Sequence, residues 1–79
     1  MDREKNNAVN MLIGRELQIE RMRMQITQQQ ISDYMGVTPE TVSMWENGTK
    51  PMNLDEFFMI CNHFGFDAIS MIRSTIKHF

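Results

Sequence analysis

The chain has 79 residues, of which 42% are hydrophobic and 23% charged, as is typical of one small globular domain. Its longest apolar run, residues 57–61, is far shorter than the roughly 18 residues that span a bilayer. The first ten residues are polar and lack the apolar stretch of a secretory signal. The single cysteine, Cys61, excludes an internal disulfide, and we therefore expect a cytoplasmic protein.

Ten acidic residues against eight basic ones give the chain a formal charge of −2. Domains that bind nucleic acid usually carry a basic patch or an excess of Lys and Arg. The overall charge therefore argues against nucleic acid as a partner, and an argument for such a partner has to come from the motifs.

The first two helices are predicted from apolar spacing and from capping residues. Apolar residues recur at helical spacing from Ala8 to Arg23, which predicts the first helix and leaves residues 1–7 as a flexible N-terminus ahead of a single domain, 8–79. Thr27, followed three residues later by Gln30, forms a capping-box pattern. It predicts a second helix that runs from residue 28 to residue 35 and ends at Gly36.

Three further helices follow the same rules. Thr38 is an N-cap with Pro39 at the first helical position, and Asn47-Gly48 ends this third helix. Asn53, with an acid three residues later, begins a fourth helix over residues 54–64, and Asp67 caps a fifth. The sequence thus predicts an all-α fold of five short helices.

Helices two and three are joined by only three residues, one of them Gly36. Such a short connection prevents antiparallel packing, and the pair is expected to cross at about 90–120° as a helix-turn-helix. The positions expected to face inward are Ile31, Met35, Val37, Val42 and Trp45, with the small Ser32 where the two helices approach most closely. The positions left outward on helix three are Pro39, Glu40, Ser43, Met44 and Asn47. A helix presented in this way fits the major groove of DNA, which is about 12 Å wide.

The segment TQQQISDYMGVTPETVSMWENG, residues 27–48, resembles the helix-turn-helix of the phage-repressor and Cro-type family, also called XRE-like. With the flanking helices, the resemblance covers roughly residues 12–72. It implies a compact five-helix, lambda-repressor-like domain with helices two and three at its centre. It also implies a sequence-specific DNA-binding transcriptional regulator, a repressor, whose helix three reads the major groove of double-stranded DNA.

The resemblance assigns roles to individual residues. It implies that Gln28 contacts the DNA backbone, that Asn47 touches a phosphate, and that Arg21 pairs with Glu46. We interpret this pair as structural, because a partly buried ion pair holds helices one and three in register without touching a ligand. The residues in base-reading positions are Thr38, Pro39, Glu40, Ser43 and Met44. Lys50 and the helix-one residues Arg15 and Arg23 are candidates for further phosphate contacts.

This segment departs from a typical DNA-reading surface in its charge and in its base-reading residues. Residues 27–50 contain three acids and one lysine, a local charge of −2. No Arg, Lys, Asn or Gln occupies a base-reading position, so base contacts would use Glu40 on a cytosine amine, Met44 or Thr38 on a thymine methyl, and Ser43 in either role. We therefore expect modest affinity for each subunit.

Modest affinity favours a homodimer on a palindromic operator with half-sites about 34 Å apart. The apolar residues of helix five and the C-terminal tail exceed what one small domain needs, so we expect part of this surface to pair the subunits. These residues are Phe66, Ile69, Ile72, Ile76 and Phe79.

Simpler interpretations and other functions stay open. Gln28 also suits the first turn of any helix, and an exposed Met44 needs no special role. The methionines are expected mostly to fill the core, including Met11, Met22, Met24, Met35, Met59 and Met71. No spacing typical of a metal or cofactor site occurs, and we predict none. The alternative functions are a protein-binding module with an acidic face and an enzyme, which would need a polar pocket joining Cys61 to His63.

Overall fold

A computed structural model describes residues 3–79 of the chain, with side chains from Ala8 onward. Over those residues it contains five helices and no strand. The helices are α1 (Arg3–Arg23), α2 (Gln28–Met35), α3 (Pro39–Asn47), α4 (Leu54–Phe64) and α5 (Ala68–His78). The predicted all-α, helix-turn-helix fold is confirmed. None of the helices within residues 3–79 is both long and apolar enough to cross a membrane.

The ends of the short helices lie where the capping residues place them. Thr27 Oγ1 accepts from Gln30 N at 3.0 Å, and Gln30 Oε1 accepts from Thr27 N at 2.8 Å, which completes the capping box at the start of α2. At the end of α2, Gly36 adopts a left-handed φ of 69° and donates its N–H to Ser32 O. The turn to Thr38 therefore begins at a glycine, which takes this conformation without steric cost.

Helix α1 begins at Arg3, five residues before the Ala8 that apolar spacing predicts. The added turn is polar, so a search for apolar periodicity does not detect it, although Arg, Glu and Lys favour helices. Met1 and Asp2 lie outside the described residues. The division into a flexible segment, 1–7, and a domain, 8–79, stays a prediction.

One hydrophobic core holds the helices together. Its fully buried members include Leu17 on α1, Ile31 on α2, Val42 and Trp45 on α3, and Ile60 on α4. The inward positions predicted for the helix-turn-helix are buried or half-buried, and Ser32 is buried as expected. Short helices of this kind gain most of their stability from such packing.

Two predictions about apolar residues are wrong. Phe66, assigned to the surplus surface of the fifth helix and tail, is buried in the core because it lies in the turn that leads into α5. Most of the methionines assigned to the core are exposed: Met11, Met22, Met24 and Met59. Only Met71 of that set is fully buried, with Met35 half-buried against the core. Residue type alone does not distinguish a core methionine from a surface one.

Helix α1 crosses the end of α3 at very short range, and Gly14 makes this approach possible. A Cβ atom at Gly14 would overlap the backbone oxygen of Trp45 and would lie 2.9 Å from that of Glu46. The crossing fixes α3 against α1 and so sets which face of α3 points outward.

Candidate nucleic-acid interface

The outer face of α3 is accessible, as the spacing predicts. Glu40 and Asn47 are exposed, Met44 is 37% exposed, and Pro39 and Ser43 are half-buried. None of the five is enclosed in the subunit. Thr38, which precedes the helix, is also exposed. The base-reading candidates thus form one continuous surface on a helix that packs against both α1 and α2.

Thr38 is already engaged in building the helix. Its Oγ1 accepts from Thr41 N at 3.2 Å and lies 3.2 Å from Thr41 Oγ1. Pro39 occupies the first turn, where its missing N–H leaves no hydrogen bond unmade. The cap and Pro39 therefore fix the backbone at the start of α3 without a bound partner.

Asn47 is oriented by the loop that follows α3. Its Oδ1 accepts from Thr49 N at 3.0 Å and from Thr49 Oγ1 at 2.6 Å. Because the oxygen is turned toward Thr49, the side-chain NH2 is the group left to face a partner. An N–H donor at this position suits an anion.

Gln28 is tied to the end of α3 by a hydrogen bond that the sequence does not predict. Its Nε2 donates to Glu46 Oε1 at 2.9 Å. The same carboxylate accepts hydrogen bonds from Arg21 Nε at 2.6 Å and from Arg21 Nη2 at 3.2 Å. These contacts confirm the predicted ion pair. Arg21 Nη1 also donates to Ile26 O at 3.0 Å. One arginine thus connects α1, α3 and the turn before α2.

The predicted residues Gln28, Ser43 and Asn47 line a recess of about 120 Å³ together with Glu46 and Gln18. Gln18 was not among the candidates, because helical spacing places it on the polar face of α1 and gives no further signal. The recess shows that three of the predicted residues share one small surface between α1, α2 and α3. Polar side chains surround it, so its chemistry suits a polar or charged group.

The charge of the reading surface is less negative than the segment 27–50 alone suggests. Arg21, outside that segment, pairs with Glu46, whose side chain is only 3% exposed, and brings the local formal charge from −2 to −1. The acids that remain at the surface are Asp33, which accepts from Gln29 Nε2 at 2.7 Å, and Glu40. Lys50 lies exposed just beyond α3.

Arg23, a candidate for a phosphate contact, is hydrogen-bonded to Glu20, and its side chain is 64% exposed. Arg23 Nε donates to Glu20 Oε1 at 2.6 Å, while Glu20 Oε2 accepts from Asp67 N at 3.1 Å. The hydrogen bond from Arg23 holds the pKa of Glu20 below its ordinary value, with the Asp67 N–H adding to the effect and burial opposing it. Glu20 therefore joins α1 to the start of α5, and Arg23 pairs with the same carboxylate. Arg15 is exposed.

The recess that Cys61 lines is formed with Phe58, Asn62, Gly65, Phe66 and Ala68, and His63 is not part of it. Burial raises the pKa of the Cys61 thiol to about 11, so that the thiol is protonated at neutral pH. His63 instead stacks on Tyr34 of α2, with ring centroids 3.7 Å apart and the planes 12° from parallel. Within the described residues, no group of three or more His, Cys, Asp or Glu side chains is placed to hold a metal ion.

Comparison with known families agrees with this architecture. A helix-turn-helix family model matches residues 17–68, from the middle of α1 to the start of α5. The match covers more than half of the chain and includes all of α2 and α3. The chain belongs to this family, the Cro-type or XRE-like helix-turn-helix proteins. It is a family of DNA-binding regulatory domains and not of enzymes. No curated protein matches the chain.

Proposed function

We propose that this protein is a sequence-specific transcriptional repressor that inserts α3 into the major groove of an operator. The observation that carries the proposal is the accessible outer face of α3 in a helix-turn-helix held rigid by the Arg21–Glu46 pair. Occupation of the operator would exclude other proteins from the same duplex. The cytoplasm is the compartment in which we expect this activity.

The proposed base contacts come from the start and outer face of α3. Glu40, exposed in the first turn, accepts a hydrogen bond from a cytosine amine, and Met44 packs on a thymine methyl. Ser43, at the edge of the recess, reaches a base edge as donor or acceptor. Thr38 and Pro39 present their apolar atoms, because the Thr38 hydroxyl is engaged in the cap.

The proposed phosphate contacts are Gln28, Asn47 and Lys50. Only one of the two amide N–H bonds of Gln28 is needed for Glu46, and the other is free to meet a phosphate oxygen. The NH2 group of Asn47 is turned away from Thr49, and Lys50 supplies the positive charge. With so few cations, we expect modest affinity for each subunit and a weak salt dependence.

Selection of bound sequences from random duplexes tests the base contacts. For Glu40→Ala and Ser43→Ala we expect altered preference at defined base pairs. Asp33→Ala is the matched control for Glu40→Ala, because it removes an exposed acid from α2 and changes the formal charge equally. It should alter affinity without altering preference. Unchanged preference in both α3 variants would remove these residues from the interface.

A salt titration tests the phosphate contacts. Lys50→Ala should weaken binding to all duplexes alike and reduce the slope of log affinity against log salt by about 1. If the wild-type chain binds no duplex at about 50 mM salt, the DNA proposal fails. The exposed acids Asp33 and Glu40 would then favour the second candidate function, a module that binds a basic partner protein.

We also propose that the repressor acts as a homodimer on a palindromic operator. Half-sites one helical turn apart, about 34 Å, require two copies of α3 on one side of the duplex. Ile69, Ile76 and Phe79 of α5 and the tail expose most of their surface to water. Ile72 is half-buried against the core, and it and Phe66 contribute less to the surface than the sequence suggests.

A further inference from the structure

The recess between α1, α2 and α3 includes one side chain to which the proposed function gives no role. This is Gln18, an exposed residue of α1, which lines the recess of about 120 Å³ with Gln28, Ser43, Glu46 and Asn47. Gln28 of α2 and Asn47 of α3 are proposed phosphate contacts. The recess therefore brings side chains of three helices to one place in the proposed interface, and the α1 side chain is the one without an assigned contact.

The packing of α1 on α3 holds Gln18 at the recess. Gly14, four residues before it, lies against the backbone oxygen of Trp45. Arg21, three residues after it, forms the ion pair with Glu46. Residues three and four apart share one face of a helix, so Gln18 lies on the face of α1 that meets the end of α3. The backbone of Gln18 is therefore held against α3 by a contact on either side of it.

The amide side chains around the recess provide several hydrogen-bond donors. Gln28 Nε2 uses one N–H for Glu46 Oε1 at 2.9 Å and has a second N–H. Asn47 Oδ1 accepts from Thr49 N at 3.0 Å, so its NH2 group is the part that faces a partner. The side chain of Gln18 adds two more N–H donors. Donors from three helices therefore surround one small volume.

The charge and the size of the recess suit a phosphate group. Glu46 lines it, but its side chain is 3% exposed and both of its oxygens accept from Arg21, so the negative charge is compensated. No Lys or Arg lines the recess, so an anion that enters meets neutral donors. The volume is about four times the share of one water molecule in the liquid, about 30 Å³, which gives room for one phosphate group.

We propose that Gln18 donates a hydrogen bond to a phosphate of the operator that sits in the recess against Gln28 and Asn47. Helix α1 is then a third DNA-contacting helix, and Gln18 helps to position α3 over the bases. The inference deepens the proposed function, on which it rests, by adding a contact from α1. Because the donor is neutral, the contact adds affinity without the counterion release that a lysine contact brings.

Binding of the selected operator at several salt concentrations tests the contact. Gln18→Ala should lower the affinity about tenfold at every salt concentration and leave the slope of log affinity against log salt unchanged. Lys50→Ala, in contrast, should reduce that slope. Asn62→Ala is the matched control, because it removes an exposed amide from α4 that does not line this recess. It should leave the affinity within about twofold of wild type. Gln18 and Asn62 are exposed and alanine favours helices, so circular dichroism should show an unchanged helix content.

Operators in which one phosphate at a time is replaced by an uncharged methylphosphonate locate the contact. At one phosphate, this replacement should weaken binding of the wild-type chain, and Gln18→Ala should add little to the loss. Gln28→Ala should behave in the same way at the same phosphate. At the other phosphates, the losses from the protein variant and from the DNA replacement should add.

Failure of this inference is distinguishable from failure of the proposed function. Sequence-selective binding by Gln18→Ala within about twofold of wild type would overturn the inference and leave the proposed function in place. Additive losses at every phosphate would do the same. A wild-type chain that binds no duplex would overturn both.

Discussion

The two sides of α1 are held by different means. Toward α3, the contact is close and buried: Gly14 lies against the backbone oxygen of Trp45, and the Arg21–Glu46 pair is nearly inaccessible to water. Toward α5, the polar contacts are more exposed. Ser74 Oγ donates to Glu16 Oε1 at 2.8 Å, and Glu20 forms a salt bridge with the exposed Arg23. The neighbouring residues Glu20 and Arg21 thus make contacts on two different sides of one helix.

The difference between the two sides matches the roles proposed for them. A helix that reads bases has to hold its side chains in fixed positions, and the α1–α3 side provides that rigidity. The α1–α5 side ends in an apolar groove, and the apolar side chains at its rim are largely exposed to water. Rigid contact on one side and incomplete burial on the other fit the base reading and the pairing that we propose.

Loss of the buried ion pair should have the largest effect. Arg21→Ala leaves the Glu46 carboxylate buried without its cation and removes three hydrogen bonds, so we expect a loss of about 4 kcal/mol in the free energy of unfolding. Arg23→Ala, which removes the exposed partner of Glu20, is the matched control and should have a far smaller effect. Urea unfolding measures both. Equal losses in the two variants would contradict the contrast between the two sides.

The close approach of α1 to α3 should give the next largest effect. Gly14→Ala forces the two helices apart, because the new methyl group meets backbone atoms that cannot rotate away; we expect a loss of about 3 kcal/mol. Gly36→Ala is the control, since its Cβ would meet nothing within 4 Å and only the left-handed backbone is strained, at about 1 kcal/mol. The midpoints of urea unfolding compare the two. A milder effect at Gly14 than at Gly36 would show that α1 and α3 are not rigidly packed.

The smallest effect is a pH dependence at Glu20. Its pKa in the folded state lies below the ordinary 4.5, chiefly because of the hydrogen bond from Arg23. The stability that ionised Glu20 contributes is therefore present above about pH 4.5 and is lost as the pH falls through the folded-state pKa. The difference in unfolding free energy between wild type and Glu20→Gln should narrow over this range. The same comparison in the Arg23→Ala variant should show a smaller change of this difference with pH. If the change is as large there as in the presence of Arg23, a group other than the Glu20–Arg23 pair causes it.

The helix-turn-helix was predictable because its signals are local. Thr27, Gln30, Gly36, Thr38 and Pro39 act on backbone groups within a few residues of themselves, and the helix ends they predict are the ones observed. The polar first turn of α1 lacked such a signal. Membership of the family follows from the same local pattern, which the family match over residues 17–68 bears out.

The features that the sequence did not predict are mostly contacts between different helices. Arg23 donates to Glu20 one turn away on α1, and the same carboxylate accepts from Asp67 N near the start of α5. The hydrogen bond from Gln28 to Glu46 and the stack of Tyr34 on His63 likewise join different helices. Phe66 is buried because the turn after α4 brings it back to the core: its N–H donates to Cys61 O, and its ring stacks on Phe64. No spacing within α5 reveals this turn.

The sequence by itself determined the number of helices, most of their ends and the outward face of α3, because capping and helical periodicity act over a few residues. Only the tertiary structure decided how Gln28 and Asn47 are oriented, which cation Glu20 holds and where an apolar groove stays open. Those features depend on the distances between helices. Such distances are set by how whole side chains pack, with Gly14 against Trp45 as the closest case, and not by the order of residues along any one helix.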